Sequence, residues 1–299
     1  MEIWRFCDGK AGHERQTAGL IAALGKHRIL NVRKIPVGNA TAAWWQWLCA
    51  SWPLPAAGLP PAFLVGAGRA CQWPLIAARR SHGGRTIYCM KPALPTSAFD
   101  LCLVPQHDDA RKGLHVEPTF GVLNDVQPGP RDPAHTTLIL VGGPSRHYAW
   151  NDAMILAQVA NIVARAEGPC TITDSRRTPT STREALAKLA TPPNVSFHTC
   201  LETPTGWLTK ALAGGHQAWV TTDSVSMIFE ALTAGLGVGL IELPDRRNAR
   251  INRLTASLVQ HGQVTAYQAW QQGEPLNALI PPLNEAARCA DLILARWPS

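Results

Sequence analysis

No apolar run in this 299-residue chain reaches the roughly 18 residues that would suggest a membrane span. The segment Met1 to Phe6 carries Glu2 and Arg5 and passes into a glycine-rich loop, so the basic and apolar regions of a secretory signal are missing and a cytoplasmic protein is expected. C-x-x-C pairs are absent, as is any histidine at zinc-finger spacing. The eight cysteines (Cys7, Cys49, Cys71, Cys89, Cys102, Cys170, Cys200 and Cys289) are scattered, which argues against a disulfide framework and reads them as small buried hydrophobes. There is no Lys/Arg run and no RNP-like aromatic strand, so nucleic acid is not an expected partner. G-x-G-x-x-G and Walker loops are missing too, and Asp108-Asp109 has the wrong spacing for D-x-D; no cofactor and no metal is expected.

What is present is a globular balance, 46% hydrophobic and 16% charged. Lys and Arg number 28 against 21 Asp and Glu, a net +7 that favours anionic partners: phosphate-bearing small molecules or lipid surfaces. The plainer reading is ordinary solubility charge. The length is about twice that of a typical domain of roughly 150 residues, so two domains are expected.

Short β-rich runs alternate with helical stretches along the whole chain, the pattern of an α/β fold with parallel sheets. The first series has strands at Ile3 to Phe6, Ile29 to Ile35, Ala62 to Gly66, Thr86 to Cys89 and Leu101 to Val104, with helices over 14–25, 41–52 and 70–80. Asp125-Val-Gln-Pro-Gly-Pro-Arg-Asp-Pro-Ala134 can continue neither element and marks a boundary. Strands at Thr137 to Val141, Cys170 to Thr173, Val195 to His198, Ala218 to Thr221 and Val238 to Ile241 follow, with helices over 152–166, 181–189, 205–213, 225–234 and 248–261. The expected division is 1–127, 128–283 and a C-terminal helix in 284–299 returning to the first domain. Two Rossmann-like domains place a ligand cleft between them.

Three polar loops close successive strands of the second series. Val141-Gly-Gly-Pro-Ser-Arg-His147 brings Gly142, Gly143, Ser145 and Arg146 to a strand end, where glycine lets backbone amides approach an anion. A simple turn would look the same. In Asp174-Ser-Arg-Arg-Thr-Pro179, Arg176 and Arg177 with the Ser175 and Thr178 hydroxyls suit a phosphate clamp; a solvated loop is the alternative. Thr221 to Gly235 passes from strand to helix, with Ser224 and Ser226 in the first turn and Glu230 two turns inside, within reach of a ribose. Helix capping alone explains Asp223 and Ser224, but not three such loops in one domain.

In the first series Cys7-Asp-Gly-Lys-Ala-Gly-His13 joins strand to helix. His13 is placed to take a proton from an acceptor hydroxyl, Asp8 is the alternative base, and Lys10 can attract an anionic acceptor; a lone loop histidine is more often structural. Gly12, Arg69 in Gly66-Ala-Gly-Arg69, and His107 and Asp108 in Pro105-Gln-His-Asp108 occupy similar strand ends and can line the same cleft. Trp44, Trp45, Trp47, Leu48 and Trp52 spread over about 160° of a helical wheel before Pro53. A core stripe is the bland reading; an interfacial face at a membrane surface that receives a lipid-linked acceptor is the sharper one.

Asp8-Gly-Lys-Ala-Gly-His13, Gly66-Ala-Gly-Arg69, Gly142-Gly-Pro-Ser-Arg-His147, Ser175-Arg-Arg-Thr-Pro179 and Thr222-Asp-Ser-Val-Ser-Met227 together resemble the mitochondrial-fission ("elongated mitochondria") family of plants and its bacterial relatives, across nearly the whole chain. That resemblance implies a glycosyltransferase-B fold. Gly9-Lys-Ala-Gly-His13 is similar to the glycine-rich loop ending in His of the peptidoglycan N-acetylglucosaminyltransferase, which implies His13 as base and Glu230 as ribose ligand. Gly-Gly-Pro-Ser is shorter than the second-domain loop of that enzyme, so the donor stays open. The implied activity is metal-independent transfer of a sugar from a nucleotide-diphosphate donor to an envelope glycan or lipid-linked acceptor, with peripheral contact at the inner face of a membrane. A nucleotide-sugar epimerase or hydrolase on the same fold, and a non-catalytic recruiting protein like the plant members, are the alternatives.

Overall fold

The central strands of both halves read as continuous apolar runs because each sheet is parallel and these strands are covered on both faces. The structure is a computed structural model describing residues 1–38, 45–53, 59–130, 133–246 and 250–298. It divides into two compact units, Met1–Asp125 with Asn284–Ser299, and Val126–Leu283.

The first unit contains β1 (Glu2–Cys7), α1 (Ala11–Gly25), β2 (Asn31–Pro36), β3 (Phe63–Gly66), α2 (Gln72–His82), β4 (Arg85–Tyr88), β5 (Leu101–Pro105) and β6 (Val116–Thr119). All six strands are parallel, in the order β2-β1-β3-β4-β5-β6. Side chains alternate between two cores: Ile3, Phe63, Val65, Ile87 and Leu101 face α1, while Trp4, Phe6, Leu64, Tyr88 and Cys102 pack with Leu75 of α2.

In the second unit, β7 (Thr137–Leu140), α3 (Asp152–Ala164), β8 (Cys170–Thr173), α4 (Thr180–Leu189), β9 (Val195–His198), α5 (Trp207–Ala213), β10 (Gln217–Thr221), α6 (Val225–Ala234), β11 (Gly237–Ile241), α7 (Arg250–Gln260), β12 (Thr265–Ala266) and α8 (Tyr267–Gln271) follow in chain order. The sheet order is β12-β11-β10-β7-β8-β9, again parallel throughout.

Several boundaries differ from the sequence reading. Helix α1 starts at Ala11 rather than 14, because Gly9 turns the chain at φ +75° and Lys10 enters extended. Ile29 lies before β2 and is 93% exposed. The expected helix over 41–52 is helical at 45–48 and turns at 49–50; residues 41–44, with Trp44, lie outside the described residues, as do 247–249 ahead of α7. Strand β6 was not anticipated, since Pro118 argues against a strand interior; at the sheet edge proline is tolerated. Five cysteines are buried as expected, but Cys49 is exposed and Cys7 and Cys200 are half-buried.

The last helix, α9 (Glu285–Arg296), packs on α1 through Cys289, Ala290 and Ile293. Arg288 fixes it by donating to Glu117 (2.7 Å), Glu285 (2.8 and 2.9 Å) and the Pro118 carbonyl (2.8 Å). These two carboxylates raise the Arg288 pKa, Glu285 foremost. Arg288→Ala leaves Glu117 with the exposed Lys112 and Glu285 with the Phe120 amide; because Arg288 is itself 41% exposed, the change is expected to cost about 1–2 kcal/mol in urea unfolding, with Arg288→Lys recovering part of it.

Candidate functional site

In the second unit β7 stands between β10 and β8, so the connection leaving β7 runs toward β8 while that leaving β10 runs toward β11. At such a reversal the loops diverge and open a crevice at the carboxyl ends of the strands. Gly142–Arg146 after β7 and Thr222–Ser224 after β10 flank this point, and Asp174–Pro179 follows the adjacent β8.

One buried carboxylate organises all three loops. The Asp223 side chain has no solvent exposure, and its Oδ2 receives Arg177 Nη2 (2.8 Å), the Gly143 amide (3.1 Å) and the Ser224 hydroxyl (3.2 Å). Arg177 Nη1 reaches on to the carbonyls of Gly143 (2.9 Å) and Pro144 (3.1 Å). The Thr178 hydroxyl donates to the Gly142 carbonyl and accepts the Ser175 amide (2.8 Å). Glycine is required at both positions after β7: a Cβ on Gly142 would lie 2.2 Å from Ser224 Oγ, and one on Gly143 2.4 Å from the Arg177 backbone.

Ser224 is the N-terminal flanking residue of α6, yet it makes no side-chain cap bond. Its hydroxyl turns to Asp223 instead, so the expected capping role does not hold. The first-turn amides of a ten-residue helix are left without a side-chain cap, at the end where the dipole favours an anion.

In the first unit the reversal falls between β1 and β3. Here His13 Nδ1 lies 2.7 Å from Asp8 Oδ2, and Asp8 Oδ1 accepts the Lys10 amide (3.1 Å). The Asp8 side chain is 3% exposed and that of His13 22%. Gly68, at φ +88°, passes directly over the pair; a Cβ there would stand 2.3 Å from His13 Nδ1. Arg5 of β1 braces the first turns of α1 by donating to Thr17 Oγ1 (2.8 Å) and Glu14 (3.2 Å), and Glu14 accepts the Gly9 amide (3.3 Å). Both Asp8 oxygens are engaged, Oδ2 by the imidazole and Oδ1 by the Lys10 amide, so Asp8 is placed to orient the His13 ring. It favours a proton on Nδ1, which leaves Nε2 as an acceptor. Burial pushes the nearby Cys71 thiol up to about 12 and also raises Cys7, which disfavours the thiolate at both.

The sequence model of the mitochondrial fission ELM1 family matches residues 11–297. The chain belongs to this family. An uncharacterized protein of Rickettsia prowazekii (strain Madrid E) is 21% identical over 354 residues, covering 98% of each chain. Among solved structures, MurG of Acinetobacter baumannii is similar with a TM-score of 0.54 at 12% identity, covering 98% of this chain and 99% of its own. A UDP-N-acetylglucosamine 2-epimerase homologue from Listeria monocytogenes has a TM-score of 0.61 at 11% identity, over 98% and 95%. UDP-GlcNAc 2-epimerase of Neisseria meningitidis, solved with UDP-GlcNAc bound, gives 0.54 at 12%, over 99% of each. The fold of this ELM1-family member is of the glycosyltransferase-B type.

Four of the five stretches that carry the family resemblance fall at the two reversal points and the fifth follows the adjacent β8, but not all of their residues are free for a ligand. The Gly142 amide is taken by Thr221 Oγ1 (2.8 Å) and the Gly143 amide by Asp223, so these amides do not hold phosphate as expected. Ser145 Oγ accepts the His147 and Tyr148 amides (3.3 and 3.2 Å), and Ser175 Oγ the Arg177 amide (3.3 Å); both shape their own turns. Arg146, Arg176 and Ser226 are exposed, and Arg177 keeps 48% of its side chain exposed. Glu230 is buried at 3%. His147, beside Arg146, has its pKa lowered by burial and by that guanidinium.

Lys10, Gly12 and Arg69 are exposed around the His13 dyad. His107 and Asp108 follow β5, separated from β3 by β4 in the sheet. Asp223, Gly68 and Thr221 were absent from the sequence-derived site. Their signal was the meeting of Thr-Thr-Asp-Ser with Gly-Gly across two strands, which one-dimensional spacing does not reveal.

Proposed function

We propose that the ELM1-family chain is a glycosyltransferase that takes a sugar from a nucleotide-diphosphate donor, with donor binding in the second unit and acceptor activation in the first. The observation that carries this reading is the uncapped start of α6 beside Arg177 at the β7/β10 reversal. The diphosphate rests on the first-turn amides and Ser226, with Arg176, the exposed edge of Arg177 and Arg146 stabilising the charge that grows on the leaving nucleotide. His13 Nε2 takes the acceptor hydroxyl proton, the oxygen attacks the anomeric carbon, and the bond to the phosphate oxygen breaks. Glu230, buried within α6, is assigned to the ribose. No metal is called for by these groups; the acceptor is an envelope glycan or lipid-linked sugar.

Isothermal titration with a panel of nucleotide sugars and free nucleotides tests the donor site. Binding is expected only for ligands with a diphosphate, and silence across the panel sinks the reading. A second reading comes from the dyad itself: an imidazole that deprotonates an acceptor hydroxyl can equally deprotonate water. Release of free nucleotide without any acceptor, at the rate seen with one, would make the protein a hydrolase or epimerase instead.

A further inference from the structure

The tryptophan-rich segment before Pro53 has no part in the transfer chemistry, and the structure divides it. Trp47 and Trp52 turn inward: Trp47 lies 5.6 Å from the Trp73 ring, and Trp52 5.8 Å from Phe6. The Trp52 amide and carbonyl are tied to Ser81 (3.0 Å) and His82 (2.9 Å) at the end of α2. Trp45 and Leu48 turn outward, 60% and 47% exposed. Between this segment and α2 is an open cavity of about 380 Å³, lined by Trp47, Ile76, Arg79, Arg80 and Ala98.

The charge beside this cavity is one-sided. Arg79 and Arg85 share a single carboxylate, Asp100, at 3.0 and 3.5 Å. Asp100 also accepts the Thr86 amide and hydroxyl through its other oxygen, so it has nothing left for a third cation. The Arg80 guanidinium lies 5.3 Å over the Trp47 ring and has no carboxylate partner among the described residues. Arg79 and Arg80 therefore line the cavity with Asp100 already shared, and the segment that supplies Trp47 to the same cavity carries the exposed Trp45 and Leu48.

We propose that this face of the first unit docks on an anionic phospholipid surface, with Trp45 and Leu48 entering the boundary between headgroups and acyl chains and the Arg79–Arg80 cavity receiving a headgroup phosphate. A guanidinium forks onto phosphate oxygens, and an indole is at its most favourable where an apolar phase meets a wet one. A soluble phosphate would use the arginines and leave Trp45 and Leu48 in water, which is why the lipid surface is chosen. The proposal does not depend on the transfer reaction and stands or falls separately from it.

Co-sedimentation of the full chain with vesicles tests it. Vesicles of phosphatidylglycerol in phosphatidylcholine are expected to carry the protein down, and pure phosphatidylcholine vesicles are not. Trp45→Ser with Leu48→Ser, and separately Arg80→Glu, are expected to lower the bound fraction by about tenfold or more, since each removes one of the two attractions. Both changes are at exposed side chains, and an unchanged far-ultraviolet circular dichroism spectrum and thermal midpoint confirm the fold. Hydrogen exchange of the unaltered chain gives a second readout, with slowed exchange at residues 45–53 and along α2 only when phosphatidylglycerol is present. Equal binding to both vesicle types, full binding by both variants, or displacement by soluble glycerol phosphate would each overturn the proposal.

Discussion

Replacing His13 with alanine is expected to lower transfer turnover by about 10²- to 10⁴-fold, the usual contribution of a positioned general base. Donor affinity, measured on the same preparation, should not change, because the donor groups belong to the other unit. Asp8→Asn tests the geometry behind that number. In the native dyad the Asp8 carboxylate accepts from Nδ1 at 2.7 Å and fixes which nitrogen is basic. An asparagine can present its NH₂ to Nδ1 and stabilise the opposite tautomer, which puts the proton on Nε2 where the acceptor hydroxyl must deliver its own. The turnover loss for Asp8→Asn should therefore approach that for His13→Ala while the fold is kept. A variant at His13 that retains full turnover removes the base assignment, and the nucleotide-binding half of the proposal then has to stand alone.

The sequence made the architecture legible because parallel strands buried on both faces leave a mark that no turn or surface helix imitates: short apolar runs such as Phe63-Leu-Val-Gly66, each ending in a polar loop. It showed less of what the loops do to one another. Gly142 and Gly143 announce a close approach, and the natural guess is a phosphate; what approaches is Ser224, Asp223 and Arg177 of the same chain. Asp223 reads as a helix cap because a cap and a buried organising carboxylate share one local pattern, Asp-Ser before an apolar helix. Their difference lies in partners 46 and 80 positions away. The His13–Asp8 pair is only five residues apart, yet it forms because Gly9 adopts φ +75° and Gly68, in the loop after β3, leaves room above it. The tryptophan stripe illustrates the same limit: periodicity showed a face, and only packing showed that Trp47 and Trp52 belong to the core while Trp45 and Leu48 do not.

Arg177 and Asp223 give the second large prediction, and a double-mutant cycle separates their two roles. Arg177→Ala strips the buried Asp223 carboxylate of its cation and leaves it with one amide and one hydroxyl. Because Arg177 is 48% exposed, water can reach the vacated space, so the destabilisation is expected at about 1–2 kcal/mol rather than the larger cost of a sealed pair. Asp223→Ala leaves the Gly143 amide unpaired but frees a guanidinium that solvent can hydrate, and should cost less. The double variant should unfold at a urea concentration above that of Arg177→Ala, with a coupling energy of about 1 kcal/mol, since the orphaned charge is gone. Nucleotide binding is expected to follow a different order. Asp223→Ala keeps the cation beside the start of α6 and should weaken binding modestly. Arg177→Ala and the double variant both lack that cation, and binding should fall by more than tenfold in each, about 1.4 kcal/mol or beyond. Recovery of stability in the double variant without recovery of binding means that Arg177 meets the ligand itself. If binding returns together with stability, Arg177 serves only to hold three loops in place, and the diphosphate site must be relocated to the α6 amides with Arg176 and Arg146 alone.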